Sequence, residues 1–555
     1  MNYQQHSVGE FRFEFHEGDI FRVYWREIEI IQRIYVAVRD ASWNTIPGEI
    51  SNLKVVYNDQ LLELSFDAHH LYADIDFSWK GNFSFSADNS IELSMSGEVT
   101  KAFKYCKIGF NIHHGLTTHA GLKFVSKAGG QSYQGDFGTA LVPQLVKDGV
   151  LTAMTPVYDD LLIKFPDFDG HFTFMGDLFE MQDHRNWGDD NWKSYGTPLA
   201  MGFPFDAALG KKIEQRITFR IEGAASTAGR IAMPSGIDSQ GTLPLIGINV
   251  LQPLTPMELG KLQRLFLDHL RISVNFSRPD WDLFDSVIEA ARELSCGVEV
   301  ALSLPLEADA GAIKKFVAPL YDHRKSISRI LIFAEKSGYN PFQGATDPQL
   351  SETVKNALPS DHEISIFSGT DQFFSDLNRL RPDYSQLDGV VLAYNPQVHA
   401  GDDLSILQNA SPVRDISRYI QSLYGDKKIV MSPVEFLGAG GPYPQGPARA
   451  DGLPANVDPR FWSELGAHWT AALLAHAAVA KVHSVTLFEV SGARGVLGAD
   501  GEEREVFKLL ESISDLRTRG FELMRVRASK DNAGIWLYFS SGDAQESAVI
   551  HRGVE

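Results

Sequence analysis

Apolar and polar residues alternate along the first part of the chain. The alternation is clear in Ala73–Trp79, and Phe83–Phe85 and Ile91–Met95 repeat it. A period of two places one face of a β-strand in a core and the other face in water. Turn segments such as Lys80–Asn82 and Ala87–Ser90 separate these runs, as they do between antiparallel neighbours. Roughly a dozen or more such runs predict a large antiparallel β-sandwich.

The pattern changes in the second half, where apolar strand-like runs alternate with amphipathic helical segments. The eight runs are Leu245–Val250, Arg271–Phe276, Gly297–Leu304, Ser328–Ala334, Glu363–Phe367, Gly389–Tyr394, Lys428–Ser432 and Ser484–Phe488. Alternation of this kind implies a parallel sheet, because parallel neighbours need a crossover. Eight repeats match a closed (β/α)8 TIM barrel. The alternative is an open doubly wound sheet, which the absence of a Gly-rich turn before the first helix disfavours.

Two further changes of pattern divide the chain into domains. Small residues fill Ala224–Gly229 and Pro234–Gly236, which indicates a linker. After Gly520 β-like runs return, and this tail is too short for a core of its own. We predict a multidomain α/β plus β protein. Its parts are an N-terminal sandwich at residues 1–235, a TIM barrel at 241–518 and a C-terminal β segment at 519–555 that packs on the barrel or the sandwich.

The chain is acidic, since its 555 residues include 71 Asp and Glu against 51 Lys and Arg, a formal net charge of −20. Such a surface repels phosphate backbones and anionic lipids, so we expect no nucleic-acid and no membrane partner. Met1–Gly18 lacks the apolar stretch of a signal peptide, and no window approaches the roughly 18 apolar residues of a membrane span. These features predict a cytoplasmic protein, and they leave formation of a homo-oligomer open.

Signatures of metal and cofactor binding are weak. Cys106 and Cys296 fall in different predicted domains, so no disulfide framework or cysteine-ligated metal is indicated. His69–His70 and His113–His114 lie in strand-like runs, where adjacent side chains point to opposite faces and cannot share a metal. The chain has no His-Glu-x-x-His and no Gly-x-Ser-x-Gly motif, and Gly438–Gly441 is better explained as a mouth loop than as a phosphate cradle. We therefore predict no metal and no cofactor.

Polar side chains recur where the predicted barrel strands end, although the strands themselves are apolar. They are Asn275, Glu335, Asp371, Asn395, His399, Glu435, Glu489 and Arg494. Active sites of TIM barrels lie at these ends, and a partly desolvated carboxylate there acquires a raised pKa that suits acid–base work. Glu335, Glu435 and Glu489 are therefore the predicted catalytic carboxylates, with His399 as a fourth catalytic candidate.

Two carboxylates at such a mouth fit more than one reaction. They could activate water against a lactone carbonyl. They could also cleave a glycoside with retention, with Glu335 as acid/base and Glu435 or Glu489 as nucleophile, which requires carboxyl groups about 5–5.5 Å apart. A third alternative is a carbohydrate-binding protein without catalysis.

The predicted sandwich contains one dense run of charged, amide and aromatic residues, Phe179–Trp187 followed by Asp189–Tyr195. Aromatic faces beside Arg and Asn donors suit a sugar ring, which makes Arg185 and Trp187 candidate substrate-binding residues. The alternative is a polar loop that braces the two large domains through an Arg–carboxylate network. Arg39–Pro47 has a similar character, and we expect it to lie beside this run.

Segments along most of the chain resemble the D-apionate lactonase family. The matching stretches are Val38–Asp40, Trp43–Pro47, Phe179–Met181, Arg185–Trp187, Lys193–Pro198, Gly369–Asp371, Leu377–Arg379, Arg381–Pro382, Asn395–Ala400, Asp458–Arg460, Ser484–Thr486, Glu489 and Gly492–Gly495. Their order is kept from about Arg22 to Val496. The resemblance implies a catabolic lactonase that opens a branched-sugar-acid lactone and that has an N-terminal sandwich, a central barrel and a C-terminal β part.

Three departures from the family pattern bear on the chemistry. His184 stands where Gln is expected, Gly188–Asp190 replaces a Thr-Asp-Ala-like run, and Glu435 stands at a Thr-like position. The last change adds a carboxylate to the mouth, so the substrate or the reaction can differ from the type activity.

The leading hypothesis is a hydrolase of a sugar-acid lactone. Glu489 or Glu335 would be the general base, and His399 would polarise the substrate or shuttle a proton. Arg494 or Arg379 would hold a carboxylate or the oxyanion. Asn395, Asp371 and Asn275 complete the predicted substrate-binding set.

Overall fold

The computed structural model describes residues 3–147, 149–223, 236–335, 344–438, 452–541 and 547–553. The chain forms two compact units. The N-terminal unit contains most of the described residues up to 223, and the C-terminal unit contains those from 236 onward together with Asn186–Asp189. Most of the predicted linker and part of the predicted mouth loop Gly438–Gly441 lie outside the described residues.

The N-terminal unit consists mainly of antiparallel strands. Its described strands are β1 (Gln4–Val8), β2 (Phe11–His16), β3 (Asp19–Trp25), β4 (Ile28–Asp40), β5 (Glu49–Asn58), β6 (Leu61–Tyr72), β7 (Ile75–Ser86), β8 (Ser90–Val99), β9 (Phe103–Gly115), β10 (Lys123–Ala128), β11 (Gln131–Asp136), β12 (Val146–Lys147), β13 (Val150–Leu151), β14 (Asp160–Lys164), β15 (Asp169–Met175), β16 (Glu180–Asp183), β17 (Asn191–Tyr195), β18 (Phe205–Ala207) and β19 (Lys212–Glu222). A short helix, α1 (Leu116–His119), follows β9. One sheet runs in the order β1-β2-β3-β4-β9-β17-β16, with β18 beside β9, and the other runs β11-β10-β14-β15-β19-β8-β7-β6-β5.

The two sheets pack face to face around an apolar core, which confirms the predicted sandwich. The alternation in β7 shows how the sequence produces this core, because Ile75, Phe77 and Trp79 are at most 4% exposed while the residues between them face outward. Phe13 of β2 stacks on Phe85 of β7 with ring centroids 3.8 Å apart.

One predicted turn is wrong. Lys80–Asn82 lies inside the continuous strand β7. A Cβ atom on Gly81 would lie 2.4 Å from the ring of Phe66 on the neighbouring strand β6, so packing against this ring requires glycine there. The second predicted turn does lie between β7 and β8.

The C-terminal unit begins with strand β20 (Ile237–Gln240), which precedes the barrel. The strands and helices that follow are β21 (Leu245–Asn249), α2 (Pro256–Leu262), β22 (His269–Asn275), α3 (Trp281–Glu293), β23 (Gly297–Leu304), α4 (Ala310–Asp322), β24 (Ile327–Ala334), α5 (Pro348–Ala357), β25 (Ser365–Gly369), α6 (Phe374–Leu380), β26 (Gly389–Tyr394), α7 (Asp403–Gln408), α8 (Pro412–Tyr424), β27 (Lys428–Val434), α9 (Glu464–Val479), β28 (Ser484–Ser491), β29 (Gly495–Leu497) and α10 (Glu505–Thr518). Strands β21 to β28 are parallel, and β21 pairs with both β22 and β28, which closes the ring. The predicted TIM barrel is confirmed, and the open-sheet alternative is wrong.

The chain after the barrel forms three more strands, β30 (Phe521–Ala528), β31 (Gly534–Ser541) and β32 (Ser547–Gly553). Together with β20 they make an antiparallel sheet, and helix α9 contacts all three. His476 of α9 hydrogen-bonds Asn532 between β30 and β31 at 2.9 Å. Helix α9 is apolar around most of its circumference because it is covered on several sides. Among the described helices, none combines the length and apolar character that crossing a bilayer would need.

Candidate active site

A cleft opens in the C-terminal unit where β21, β27 and β28 end. Its lining residues are Asn249, Pro433, Glu435, Phe436, Leu437, Asn456, Val457, Asp458, Phe461, Phe488, Glu489, Ala493 and Arg494. The carboxyl ends of barrel strands are the edge at which TIM-barrel sites form. Three of the predicted site residues, Glu435, Glu489 and Arg494, therefore meet in one cleft.

Arg494 joins the two glutamates of the cleft. Its Nη1 donates to Glu435 Oε1 at 3.0 Å, and its Nη2 donates to Glu489 Oε1. The side chains of Glu435 and Glu489 are 20% and 13% exposed, so both carboxylates are largely withdrawn from water. One guanidinium between two carboxylates leaves this cluster, which we call the mouth triad, with a net negative charge.

Burial raises the pKa of Glu489 above its ordinary value. Arg494 opposes the shift because it stabilises the ionised carboxylate, whereas the negative charge of Glu435 adds to the shift. A carboxylate with a raised pKa accepts a proton more readily near neutral pH. Of the residues in the mouth triad, Glu489 is thus the one suited to act as a base.

An irregularity in β28 directs Glu489 toward the cleft. Thr486 points into the barrel, where its hydroxyl donates to the buried Glu299 at 2.8 Å. Regular alternation would place Glu489, three positions later, on the opposite face. Phe488 has a φ of +53°, and the pairing of β21 with β28 shifts register at this point. Because the backbone is irregular here, Thr486 can point into the barrel interior while Glu489 points toward the cleft at its mouth.

Hydrogen bonds from two side chains hold the loop that carries Arg494. Trp462 Nε1 donates to the carbonyl of Ala493 at 2.9 Å, and Arg504 Nη1 donates to the carbonyl of Gly495 at 2.6 Å. The guanidinium of Arg504 also lies 4.6 Å from the centre of the Trp462 ring. Sequence reasoning missed both residues, because contacts from side chains to backbone carbonyls leave no spacing signal.

His399 and Trp187 come together at a second location in the C-terminal unit. His399 Nδ1 hydrogen-bonds Asp189 Oδ2 at 2.6 Å, and the Trp187 ring meets the His399 ring edge-on at 5.7 Å. Asn395 lies four residues before this histidine in the chain, and its Oδ1 accepts from the backbone N–H of Gln397 at 3.1 Å. His399, Trp187 and Asn395 are not among the described residues that line the cleft.

Glu335 and Asn275 meet through a shared neighbour, Ser277. The Ser277 hydroxyl donates to Glu335 at 3.1 Å, and the Ser277 N–H donates to Asn275 Oδ1 at 2.9 Å. Asn275 Oδ1 also accepts from the N–H of Arg278, so this side chain organises the turn after β22. Neither Glu335 nor Asn275 is among the described residues of the cleft.

Arg379 and Asp371 are not among the described residues that line the cleft. Arg379 pairs with Asp376 at 3.0 Å within α6 and is buried, whereas Asp371 lies exposed directly after β25. Arg185 belongs to the N-terminal unit, is fully buried and pairs with Asp183. It also donates hydrogen bonds to the backbone carbonyls of Gly138, Thr139 and Ala140. This set of partners fits a residue that organises the sandwich.

A closed TIM barrel with carboxylates at its mouth, joined in one chain to an antiparallel sandwich, defines a TIM-barrel enzyme. The comparison with known families identifies it further. Residues 1–224 match the model for the N-terminal domain of D-apionate lactonase, and residues 251–518 match the model for its TIM barrel domain. The chain belongs to the D-apionate lactonase family and is a hydrolase. The resemblance noted in the sequence is thus confirmed.

Similar proteins cover much of the chain. A D-apionate lactonase from Brucella anthropi is 24% identical over 560 aligned residues, which span 92% of this chain and 87% of that protein. A GH30 endoxylanase from Clostridium papyrosolvens has a TM-score of 0.39 and 7% identity, covering 57% of this chain and 82% of its own. An aldose epimerase homologue from C. elegans has a TM-score of 0.25 and 8% identity, covering 40% and 99%. Structural likenesses this low do not bear on the chemistry.

Proposed function

We propose that the protein hydrolyses a sugar-acid lactone in the cleft at the barrel mouth. The observation that carries the proposal is the mouth triad, in which Arg494 holds Glu435 and Glu489 together in a largely buried pocket. Membership of the D-apionate lactonase family and the name of the Brucella relative support the substrate class.

Glu489 acts as the general base in this proposal. It takes a proton from water while the water oxygen attacks the lactone carbonyl carbon, and the carbonyl oxygen becomes an oxyanion. When the tetrahedral intermediate collapses, the bond from the carbonyl carbon to the ring oxygen breaks. The proton returns from Glu489 to the ring oxygen, which becomes the hydroxyl of the open sugar acid.

Arg494 and Glu435 tune this base. As Glu489 takes up the proton it loses its negative charge, so its hold on Arg494 Nη2 weakens and that donor becomes available to the oxyanion. Glu435 keeps the other side of the guanidinium in place. The new carboxylic acid then loses its proton to bulk water. The resulting carboxylate lies beside a cluster of net negative charge, and the repulsion favours its release.

The other candidates keep their predicted roles as hypotheses. His399, oriented by Asp189, remains a candidate proton shuttle, and Asn395, Asp371, Asn275, Arg379, Arg185 and Trp187 remain candidate substrate contacts. A retaining glycosidase would require Glu335 opposite Glu435 or Glu489, but Glu335 is hydrogen-bonded to Ser277 and is not among the described cleft residues. No observation favours that alternative over lactone hydrolysis.

A substrate panel tests the proposal. Purified protein is incubated with four-, five- and six-carbon aldonolactones, branched ones included, and acid release is followed in a pH-stat. In parallel, aryl glycosides are followed by release of the coloured phenol. We expect acid release from at least one lactone well above its spontaneous rate and no cleavage of the glycosides. Glycoside cleavage without lactone turnover would replace the proposal with the glycosidase alternative.

A further inference from the structure

Asn249 lies beside the mouth triad and has no assigned role so far. It is the last residue of β21, lines the cleft and is 7% exposed. In the parallel pairing of the barrel, Asn249 is aligned with Glu489 on one side and with Arg271 on the other. Adjacent strands lie roughly 4.8 Å apart, so the Asn249 amide and the Glu489 carboxylate start from neighbouring positions on the barrel wall.

The orientation of the Asn249 amide follows from its partner. Arg271 Nη1 is 2.9 Å from Asn249 Oδ1. A guanidinium can only donate hydrogen bonds, so the carbonyl branch of the amide faces Arg271 and the NH₂ branch points away from it. The described residues provide no hydrogen-bond acceptor for this NH₂ group, and Asn249 lines the cleft. Asn249 thus presents two N–H donors next to the proposed base.

Arg271 is anchored deep in the barrel. Its Nη1 also lies 3.0 Å from Ser273 Oγ, and its Nε lies 3.8 Å from Glu299 Oε1. Glu299 is completely buried and accepts hydrogen bonds from Ser432 at 2.5 Å and Thr486 at 2.8 Å. Contacts with three strands leave the Arg271 side chain little conformational freedom. Its hydrogen bond to Asn249 therefore fixes the orientation of the amide.

We propose that Asn249 Nδ2 donates a hydrogen bond to the carbonyl oxygen of the bound lactone and holds the oxyanion that forms on it. Arg271 is a positioning residue that fixes this amide without touching the substrate. The proposal rests on the proposed lactonase function. It places the donor and the base on adjacent strands, so that water on Glu489 faces a carbonyl carbon whose oxygen lies at Asn249. Because the donor is already oriented, no free energy is needed to reorganise the site when the negative charge develops.

Substitution of Asn249 gives the main test, with a lactone that the wild type hydrolyses as substrate. Removing one oxyanion donor typically lowers kcat about 100- to 1000-fold. We expect that loss for Asn249→Ala and Asn249→Asp, with KM changed by no more than about threefold, because the bond strengthens in the transition state. Asn356→Ala, an exposed asparagine on α5, is the matched control and should keep wild-type kcat.

The role of Arg271 is tested by coupling. Arg271→Lys should lower kcat about tenfold, and the double variant Arg271→Lys with Asn249→Ala should be no slower than Asn249→Ala alone, because Arg271 acts through the amide. A purely structural arginine would instead add its effect to that of the asparagine. If Asn249→Ala does not fold, as judged by its melting temperature, Asn249→Ser takes its place.

The outcomes separate the two proposals. If the wild type turns over no lactone, the proposed function fails. If the wild type is active and Glu489→Gln is inactive, but the Asn249 variant retains kcat within about threefold, only the inference about Asn249 is overturned.

Discussion

At the scale of single residues, Arg494 stabilises the arrangement of the two glutamates in the site. Two carboxylates close together in a largely buried pocket repel each other, and one of them would normally hold a proton. The guanidinium between Glu435 and Glu489 offsets this repulsion and fixes both side chains. All three residues could be predicted from their places at strand ends. Their pairing could not, because it depends on side-chain conformation and on the path of the loop after β28.

The electrostatic role of Glu435 leads to a prediction about pH. Burial and the charge of Glu435 raise the pKa of Glu489, and Arg494 lowers it, so Glu435→Gln removes one of the two raising influences and leaves the lowering one. Glu489 must be ionised to act as base. The acid limb of the kcat/KM profile for lactone hydrolysis should therefore move to lower pH in this variant, measured between about pH 4 and pH 8.

Glu352→Gln, an exposed glutamate on α5, is the control and should leave the profile unchanged. A shift of the acid limb toward higher pH would show that Glu435 does not act on Glu489 through its charge.

At the scale of elements, the periodicity of the sequence predicts where the strands lie. It predicts less well where they end and where their backbone is irregular. The eighth run, Ser484–Phe488, was predicted to end before Glu489, whereas β28 continues to Ser491 and is irregular at Phe488. The side chain still reaches the mouth, because the irregularity compensates for the longer strand. At Gly81 the sequence predicts a turn, whereas the glycine lies inside β7 and makes room for the Phe66 ring.

The loop after β28 provides a prediction at this scale. Arg504→Ala removes the hydrogen bonds to the carbonyls of Ala493 and Gly495 that hold the Arg494 loop. Loss of hydrogen bonds from a charged donor should lower the free energy of unfolding by about 1.5–3 kcal/mol. We expect kcat for the lactone to fall at least about tenfold as Arg494 loses its place. Steady-state kinetics and urea denaturation measure both effects.

Lys508→Ala, on the exposed side of α10, should change neither quantity appreciably. Wild-type kcat in Arg504→Ala would mean that the loop holds its shape without Arg504.

At the scale of the whole molecule, the architecture was predictable because it rests on hydrophobic periodicity. A period of two predicts the sandwich, and strand–helix alternation predicts the barrel. The buried charges inside the barrel were not predictable. Glu299 lies in the apolar run Gly297–Leu304, and the pairing of β23 with β22 and β24 places it beside His269 and Arg329. The sequence does not mark Asn249 as a site residue, because the apolar run Leu245–Val250 extends one residue beyond it whereas β21 ends at Asn249.

Buried histidines make the stability of the molecule sensitive to acid. Burial lowers the pKa of His119 in the N-terminal unit and of His269 in the barrel from 6.5 to about 4. Between these values the unfolded chain binds protons that the folded chain does not. The free energy of unfolding should therefore fall as the pH drops from about 6.5 to about 4, by up to about 1.4 kcal/mol per pH unit for each such histidine.

Urea denaturation at a series of pH values checks this expectation. His119→Gln removes one of the titrations and should make the slope shallower over that window. An unfolding free energy independent of pH between about 6.5 and 4 would contradict the buried, neutral state of these rings.

The central claim, that Glu489 in the mouth triad is the base of a lactone hydrolase, is tested most directly by the kcat of Glu489→Gln. The variant keeps the size of the side chain and removes its ability to take a proton. We predict a loss of about 100-fold or more relative to the wild type on the same lactone, with an unchanged melting temperature. A folded Glu489→Gln enzyme with kcat near that of the wild type would contradict the account.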